Sequence, residues 1–195
     1  MAEKKTNEFV QLGGILCGIT LVVALALGAV NAVTEQPIAD QNAQKIKDSL
    51  EVVMPGAESE EIEVPEGTTI TTETKNATSV TILSAYKMTE NGKDAGYCVE
   101  VGPTGFGGAV DTMVGIDNDG NVTGISVISA ASETPGLGAR STEEEFQAQF
   151  KGLVGTEVAV AKDGGEIEAL TGATITSRAV SEGVVAAAQF AAEQG

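Results

Sequence analysis

The N-terminal part of the chain has a pattern of apolar and polar residues unlike that of the remainder. From Leu12 to Val30 no residue carries a charge, and a helix of about 20 such residues spans the core of a bilayer. A buried helix of a soluble domain fits less well, because the run has no polar face. A signal peptide cleaved after Val30-Asn-Ala32 is the other alternative, but its apolar core would be shorter. The pattern predicts a transmembrane helix over residues 12–33.

Helical and alternating patterns follow this apolar run. Apolar residues recur at helical spacing between Ala39 and Met54, and Pro55-Gly56 ends that pattern. Residues 56–76 are rich in Glu, Thr, Gly and Pro, and predict a solvated connection with at most one short strand. Two pairs of strands come next, each flanking a turn of Asn and Gly residues. The strands cover residues 80–88 and 96–101 around Asn91-Gly92, and residues 110–117 and 122–128 around Asn118-Asp-Gly-Asn121.

The C-terminal third adds helices and a further strand. Acidic residues after Ser141 and Thr142 predict a short capped helix over residues 143–150, and residues 157–161 predict a fifth strand. A last helix begins directly after Thr174. Consecutive strands with helices at the ends indicate an α+β fold, a mostly antiparallel sheet packed with helices behind one N-terminal transmembrane helix. The predicted divisions are an N-terminal segment 1–11, the membrane helix 12–33, a membrane-proximal helix and connection 34–76, and a globular domain 77–195.

The amino-acid composition excludes several classes of function. With 28 acidic and 11 basic residues, the chain has a net charge of −17, which disfavours binding to nucleic acid. It contains no histidine, so neither a metal centre nor a Ser-His-Asp hydrolase is expected. Cys17 and Cys98 are too far apart in sequence for a Cys-x-x-Cys motif, and Cys98 is expected in the core. Redox chemistry would require a bound cofactor.

The charges around the apolar run predict an orientation in the membrane. Lys4 and Lys5 precede the run, whereas Glu35 and Asp40 are the first charged residues after it. Positively charged flanks remain in the cytoplasm. We therefore predict a single-pass protein of the cell membrane, with a cytoplasmic N-terminus and an extracytoplasmic C-terminal domain.

A cluster of hydroxyl groups marks the start of the last helix. The cluster comprises Thr171, Thr174, Thr176 and Ser177. The neighbouring Gly172 and Ala173 have no bulk that would block approach to the helix end. The first turn of a helix exposes unpaired N–H groups and the positive end of the helix dipole, so it attracts anions such as phosphate. An ordinary N-cap, which also favours Thr and Ser, is the alternative.

The segment Thr171-Gly-Ala-Thr174 resembles the Ser/Thr-Gly-Ala-Thr signature of the FMN-binding domain family, to which RnfG and NqrC belong. In that family the last threonine is esterified to the phosphate of FMN, and Thr174 is the matching residue. The resemblance implies that Thr171, Gly172 and Ala173 bind the same cofactor. Glu168 stands three residues before the signature, where the family usually has Asp, and it keeps the carboxylate for recognition by a flavin transferase.

A second stretch, Glu133-Thr-Pro-Gly-Leu-Gly138, looks like another motif of this family. The resemblance implies cofactor binding by Glu133, Thr134, Gly136, Leu137 and Gly138. The segments Gly105-Phe-Gly-Gly108 and Val114-Gly-Ile-Asp117 are similar to its glycine turn and central strand, so the resemblance covers about residues 95–192. By composition alone, the glycine-rich stretches are also typical of ordinary turns.

The resemblance implies a membrane flavoprotein that carries electrons through covalently bound FMN in an Rnf complex, which couples ferredoxin:NAD oxidoreduction to ion transport. The chain would be a redox subunit rather than a stand-alone enzyme, without catalytic residues of its own. Its partners would be the other membrane subunits of the complex and a separate flavin transferase. Two alternatives stay open: an NqrC-like subunit of a Na⁺-translocating NADH:quinone reductase, and an anchored acidic binding domain without a cofactor.

Overall fold

The computed structural model describes residues 2–194, which divide into two compact units. The first unit is Met1–Gln44 and the second is Lys45–Gly195. The side chains of Lys4 and Lys5, on which the predicted orientation depends, lie outside the described part. The second unit begins before residue 77, the start of the predicted globular domain, because the preceding residues also pack into it.

One long helix, α1, runs from Ala2 to Val53. The sequence pattern predicts two helices here, whereas the structure has one helix that continues through Pro37. Its large apolar side chains between Phe9 and Val33 are exposed. Among the described residues, this is the one helix long and apolar enough to cross a bilayer.

Six strands form one antiparallel sheet in the second unit. They are β1 (Glu58–Ile62), β2 (Thr69–Thr71), β3 (Ser79–Glu90), β4 (Lys93–Gly102), β5 (Asp111–Ile116) and β6 (Val122–Ser129). The order across the sheet is β1-β3-β4-β5-β6, and β2 pairs with β3 ahead of the part that pairs with β1. Asn91 and Gly92 join β3 to β4 with φ angles of 52° and 73°, the left-handed conformation that tight hairpins need.

The helices after the sheet are α2 (Glu144–Gln147) and α3 (Thr174–Gln194). Short 3₁₀ turns cover Gly138–Thr142, Ala148–Phe150, Gly155–Glu157 and Ala161–Asp163. The observed sheet and helices confirm the predicted α+β class. The predicted strand at 157–161 is wrong. Val158 and Val160 are buried, as strand residues would be, but their segment is irregular and forms only an isolated bridge between Val160 and Ile167. The connection at 56–76 has two strands, β1 and β2, instead of at most one.

The predicted cap of α2 is also wrong. Glu143 occupies the N-cap position without a side-chain hydrogen bond. The Thr142 hydroxyl instead donates to the carbonyl of Ala139 at 2.9 Å, and Ser141 is buried. Both residues belong to the preceding 3₁₀ turn, so they lie too early in the chain to cap α2.

Each face of the sheet is covered by a helix. Neighbouring residues of a strand point to opposite faces, and in β4 Val99 packs with α3 residues such as Val184, whereas Cys98 packs with the end of α1. Leu50, Val53 and Met54 of that end are buried against Met88, Cys98 and Met113. Burial raises the pKa of the Cys98 thiol to about 12, and its place in the core is as predicted.

The end of α1 approaches the sheet closely at a pair of glycines. Gly115 and Gly124 face each other on β5 and β6. A Cβ at Gly115 would lie 2.3 Å from Thr123 Oγ1 and 3.1 Å from the carbonyl oxygen of Val53. The Thr123 hydroxyl donates to that carbonyl at 2.7 Å. The last turn of α1 is therefore part of the globular core.

The two outer strands of the sheet have polar surroundings. β1 is mostly exposed and contains Glu58, Glu60 and Glu61. At the opposite edge, the backbone N–H of Val127 donates to Gln147 Oε1 at 3.1 Å, and that of Val122 donates to the carbonyl of Leu153 at 2.9 Å. Side chains and irregular segments therefore supply acceptors to the free edge of β6.

A buried carboxylate lies within α3. Glu182 is 5% exposed and accepts hydrogen bonds from the hydroxyls of Thr72, at 2.5 Å, and Thr74, at 2.8 Å. These bonds join α3 to the segment that follows β2. Hydrogen bonds of this kind offset the cost of burying a charged group.

Candidate functional site

A tight turn leads into α3. Gly172 has a φ of 78°, a conformation that glycine adopts readily, and the N–H of Ala173 donates to the carbonyl of Leu170 at 2.9 Å. The first residue of α3 is Thr174. A Cβ at Gly172 would lie 3.0 Å from Leu137 Cδ2, so the turn packs under the loop of the Glu133–Gly138 motif. The two sequence motifs therefore meet at the start of α3.

The four hydroxyls near this helix start have different environments. Thr176 and Ser177 are completely buried. The Thr176 hydroxyl donates to Glu133 Oε2 at 2.5 Å, and that of Ser177 donates to the carbonyl of Ala173 and accepts from the N–H of Leu170. Thr171 is exposed, whereas Thr174 is half-buried with its Oγ1 3.5 Å from Lys162 Nζ. Thr174 thus keeps an accessible hydroxyl at the helix start.

A cavity of about 420 Å³ opens at this point. It is lined by Phe106, Glu133, Thr134, Leu137, Gly138, Lys162, Gly172, Ala173, Thr174, Ile175 and Thr176. Phe106 is 70% exposed and Ile175 is 49% exposed, so large apolar side chains border the opening. A larger depression of about 510 Å³ lies beside β6 and Val52, but no residue of either motif lines it.

Glu133 joins three walls of the cavity. Its side chain is buried, with 4% of the residue exposed. One carboxylate oxygen accepts from the N–H of Gly107 at 2.8 Å, and the other accepts from the Thr176 hydroxyl on α3. The loop at Gly107, the loop that contains Glu133, and the first turn of α3 are therefore held together by one carboxylate.

Two glycines leave the space that this carboxylate occupies. A Cβ at Gly138 would lie 2.0 Å from Glu133 Oε2, and one at Gly105 would lie 2.5 Å from Oε1. Gly107 is equally restricted, because its Cβ would lie 1.9 Å from the carbonyl oxygen of Ser132. These glycines are therefore required by close packing around Glu133.

The Thr174 end of the cavity attracts negative charge. Lys162 is the one cationic residue among the described residues that line it. The N–H groups of Thr174, Ile175 and Thr176 donate to no acceptor among the hydrogen bonds of the described residues, as is usual for the first turn of a helix. Because the helix dipole is positive at this end, the site suits a phosphate.

An ion pair positions the turn that carries Lys162. Asp163 accepts from Arg178 Nε at 2.6 Å and from Arg178 Nη2 at 3.1 Å. The hydrogen bond from Arg178 lowers the pKa of Asp163, and so does a further bond from Asn76. The pair fixes the 3₁₀ turn Ala161–Asp163 against α3, which keeps Lys162 near Thr174.

Most of the residues predicted to bind a cofactor line this cavity, but Gly136 and Thr171 do not. Glu168, which was predicted for recognition by a transferase, does not line it either. Gly136 lies in the same loop without lining it, and its φ of 77° shows that it serves the turn. Thr171 and Glu168 line a neighbouring groove with Arg140 and Glu143. The backbone of Glu168 is held there by the side-chain amide of Gln149, which accepts from its N–H at 2.8 Å and donates to its carbonyl at 3.4 Å.

Four lining residues were not predicted from the sequence as cofactor ligands. They are Phe106, Lys162, Ile175 and Thr176. Phe106 lies within the glycine turn and Ile175 follows Thr174 directly, so each lies in or beside a recognised motif. Lys162 lies in a polar turn twelve residues before Thr174, and only the folded chain shows that the two are close.

The fold and the cavity together define a class of protein. A helix able to cross a membrane precedes an antiparallel α+β domain, and the domain has a cavity with an apolar rim and an anion-attracting helix start. These are the features of a membrane-anchored cofactor-binding domain.

Comparisons with known proteins identify the family. Residues 105–189 match the FMN-binding domain family. The chain is 37% identical over 182 residues to the G subunit of the Na⁺-translocating ferredoxin:NAD⁺ oxidoreductase complex of Acetobacterium woodii, covering 89% of this chain and 87% of that protein. It is 32% identical over 182 residues to the G subunit of the ion-translocating oxidoreductase complex of Methanosarcina acetivorans, covering 90% and 93% of the two chains.

The chain belongs to the family of G subunits of ion-translocating oxidoreductase (Rnf) complexes. The predicted relationship to RnfG and the FMN-binding domain is thereby confirmed. Its N-terminal apolar helix accordingly makes it a single-pass membrane protein.

Proposed function

We propose that this chain carries electrons in an ion-translocating ferredoxin:NAD oxidoreductase complex, through FMN joined by a phosphoester to Thr174. One observation carries the assignment to this residue. Of the four hydroxyls at the start of α3, only that of Thr174 both lines the cavity and is free of a hydrogen bond to a buried protein acceptor. The names of the related G subunits support the electron-carrier role within a complex of several membrane subunits.

The residues of the cavity suit FMN. A volume of about 420 Å³ falls within the range of roughly 300–1,000 Å³ that small-molecule sites occupy. Lys162 and the first-turn N–H groups would hold the phosphate, while Phe106, Leu137 and Ile175 offer apolar surface to the flavin ring. Bound FMN would supply the redox chemistry that the side chains of this protein lack.

Covalent attachment suits a domain outside the cytoplasm. Free FMN is scarce there, so a cofactor bound only by contacts would dissociate and be lost. The attachment is a phosphoryl transfer from FAD to the threonine hydroxyl, with AMP as leaving group. Such transfers depend on metal ions and a nucleotide-binding site. This chain has no histidine and no Gly-rich nucleotide-binding loop, so a separate flavin transferase would catalyse the reaction.

The groove beside the cavity supports recognition by such a transferase. Glu168 and Thr171 are exposed and share this groove. Gln149 fixes the backbone of Glu168 through two hydrogen bonds, so the carboxylate is presented from a defined position. A transferase that binds this segment would have Thr174 within six residues of its recognition point.

The test of the proposed function is the colour of the purified chain. Full-length protein produced together with a flavin transferase should show flavin absorbance, and the band should fluoresce in a denaturing gel because the bond is covalent. The matched control is the same chain produced without a transferase, which should be colourless. A colourless, folded product from the first culture would instead favour an acidic binding domain without a cofactor.

We propose that the N-terminus is cytoplasmic and that the domain from Lys45 onward lies outside the cytoplasm, as the positions of Lys4, Lys5, Glu35 and Asp40 predict. Protease added to intact cells should then remove the domain, while a tag before Lys4 should survive. In inside-out vesicles the tag should be digested and the domain protected. A domain that resists protease in intact cells and is cut in inside-out vesicles would reverse the orientation.

A further inference from the structure

The carboxylate of Glu133 contributes a fixed negative charge to the wall of the cavity. Glu133 is 4% exposed, and each of its two oxygens accepts a hydrogen bond, one from Gly107 N–H at 2.8 Å and one from the Thr176 hydroxyl at 2.5 Å. A donor group faces each oxygen, which is the arrangement that an ionised carboxylate requires. Hydrogen bonds from an amide and a hydroxyl stabilise this charged form.

None of the ion pairs among the described residues neutralises this charge. The ion pairs there join Lys87 to Asp94, Arg140 to Glu143, and Arg178 to Asp163, and none includes Glu133. Lys162 lines the same cavity, but its Nζ lies at the Thr174 hydroxyl, where the phosphate of the proposed ester would pair with it. The field of Glu133 therefore extends into the cavity, and a field acts more strongly in a water-poor interior than in solvent.

We propose that Glu133 lowers the reduction potential of the flavin, in addition to holding the cavity walls together. This inference rests on the proposed function, since it requires flavin in the cavity. Each electron that a donor adds to the ring without a proton adds one negative charge, and a fixed negative charge nearby opposes that addition. Glu133 forms and breaks no bond in the process, so its effect is purely electrostatic.

The test is a redox titration of the full-length flavinylated chain carrying Glu133→Gln. Glutamine has nearly the same shape and can still accept from Gly107, so the walls stay joined while the charge is removed. We expect the equilibrium constant for one-electron reduction to rise about tenfold, which is a shift of about 59 mV to more positive potential. The titration uses dithionite as reductant with mediator dyes, and follows the flavin absorbance.

The matched control is Glu182→Gln. Glu182 is also a buried carboxylate of this domain, is 5% exposed and accepts hydrogen bonds from two hydroxyls, but it does not line the cavity. Its replacement should leave the potential unchanged. Equal shifts in both variants would mean that the potential follows general loss of stability, and would overturn the proposal.

A second variant retains the charge of Glu133. Thr176→Ser keeps the hydroxyl that donates to Glu133 Oε2, so both the charge and the potential should be unchanged. A rise equal to that of Glu133→Gln would contradict the proposal. Flavin bound normally in Glu133→Gln with an unchanged potential would overturn the inference while leaving the proposed function intact. The inference would also be overturned if the Glu133 and Thr176 variants both folded but took up no flavin, because Glu133 would then serve flavin binding alone. Absence of flavin from the unmodified chain would instead count against the proposed function.

Discussion

Replacement of Thr174 by alanine is expected to abolish covalent attachment of FMN while the domain remains folded. Thr174 is half-buried, and its hydroxyl accepts only a long hydrogen bond from Lys162 Nζ, at 3.5 Å, among the side-chain bonds of the described residues. Loss of even an N-cap hydroxyl costs only about 1 kcal/mol, which is small beside the total stability of a domain, about 5–15 kcal/mol. In-gel fluorescence should be absent, and peptide mass spectrometry should find the segment unmodified.

The neighbouring hydroxyls provide the controls for this experiment. Thr176→Ala should still be flavinylated, but it should unfold more readily, because a buried acceptor on Glu133 loses its donor at a cost of about 1–3 kcal/mol. Thr174→Ser keeps a hydroxyl and should keep partial attachment. A fluorescent Thr174→Ala band, or a flavin adduct mapped to Thr171, would refute the assignment.

Removal of residues 1–55 is expected to unfold the domain, whereas removal of residues 1–44 should preserve it. The longer deletion takes away Leu50, Val53 and Met54, which are buried on the sheet. Each contributes about 1.5–3 kcal/mol by burial, or about 5–9 kcal/mol together as an upper estimate. That sum is comparable with the whole stability of a typical domain, about 5–15 kcal/mol. Urea unfolding followed by circular dichroism should show a cooperative transition for the shorter deletion alone.

A substitution separates the role of these contacts from the effect of chain length. In the chain that starts at Lys45, Val53→Ala should lower the urea midpoint, because Val53 is 1% exposed against Gly115 and Gly124. Val52→Ala is the matched control, since Val52 is 63% exposed. Equal urea midpoints for Val53→Ala and Val52→Ala would contradict the assignment of the last turn of α1 to the core.

The strands that the sequence predicts well are those with a buried face and a strong turn. β3 and β4 flank Asn91-Gly92, whose positive φ angles match the predicted hairpin. β1 could not be predicted in the same way, because its residues are mostly exposed and show no apolar alternation. β1 forms because it pairs with the edge of β3, and this pairing depends on the tertiary fold. The continuity of α1 could not be predicted from local sequence either. Proline usually interrupts a helix, yet α1 continues through Pro37.

The candidate site is predictable where its residues are adjacent in sequence. The Thr171–Thr174 turn and the Glu133–Gly138 loop are recognisable as motifs, yet nothing in the sequence indicates that Thr176 donates to Glu133 from 43 positions away. The proximity of Lys162 to Thr174 likewise depends on the ion pair between Asp163 and Arg178. The sequence motifs therefore identify residues that could bind a phosphate and a flavin ring. Which hydroxyl remains accessible is determined only when the chain folds.

The edges of the sheet also bear on how this protein behaves in a crowded membrane. An unprotected outer strand can pair with the same strand of another molecule and start aggregation. Here β1 carries Glu58, Glu60 and Glu61 on its exposed length, so two such edges would repel each other. At the far side, Gln147 already occupies the N–H of Val127. Both features disfavour edge-to-edge pairing of copies that are confined to the same bilayer.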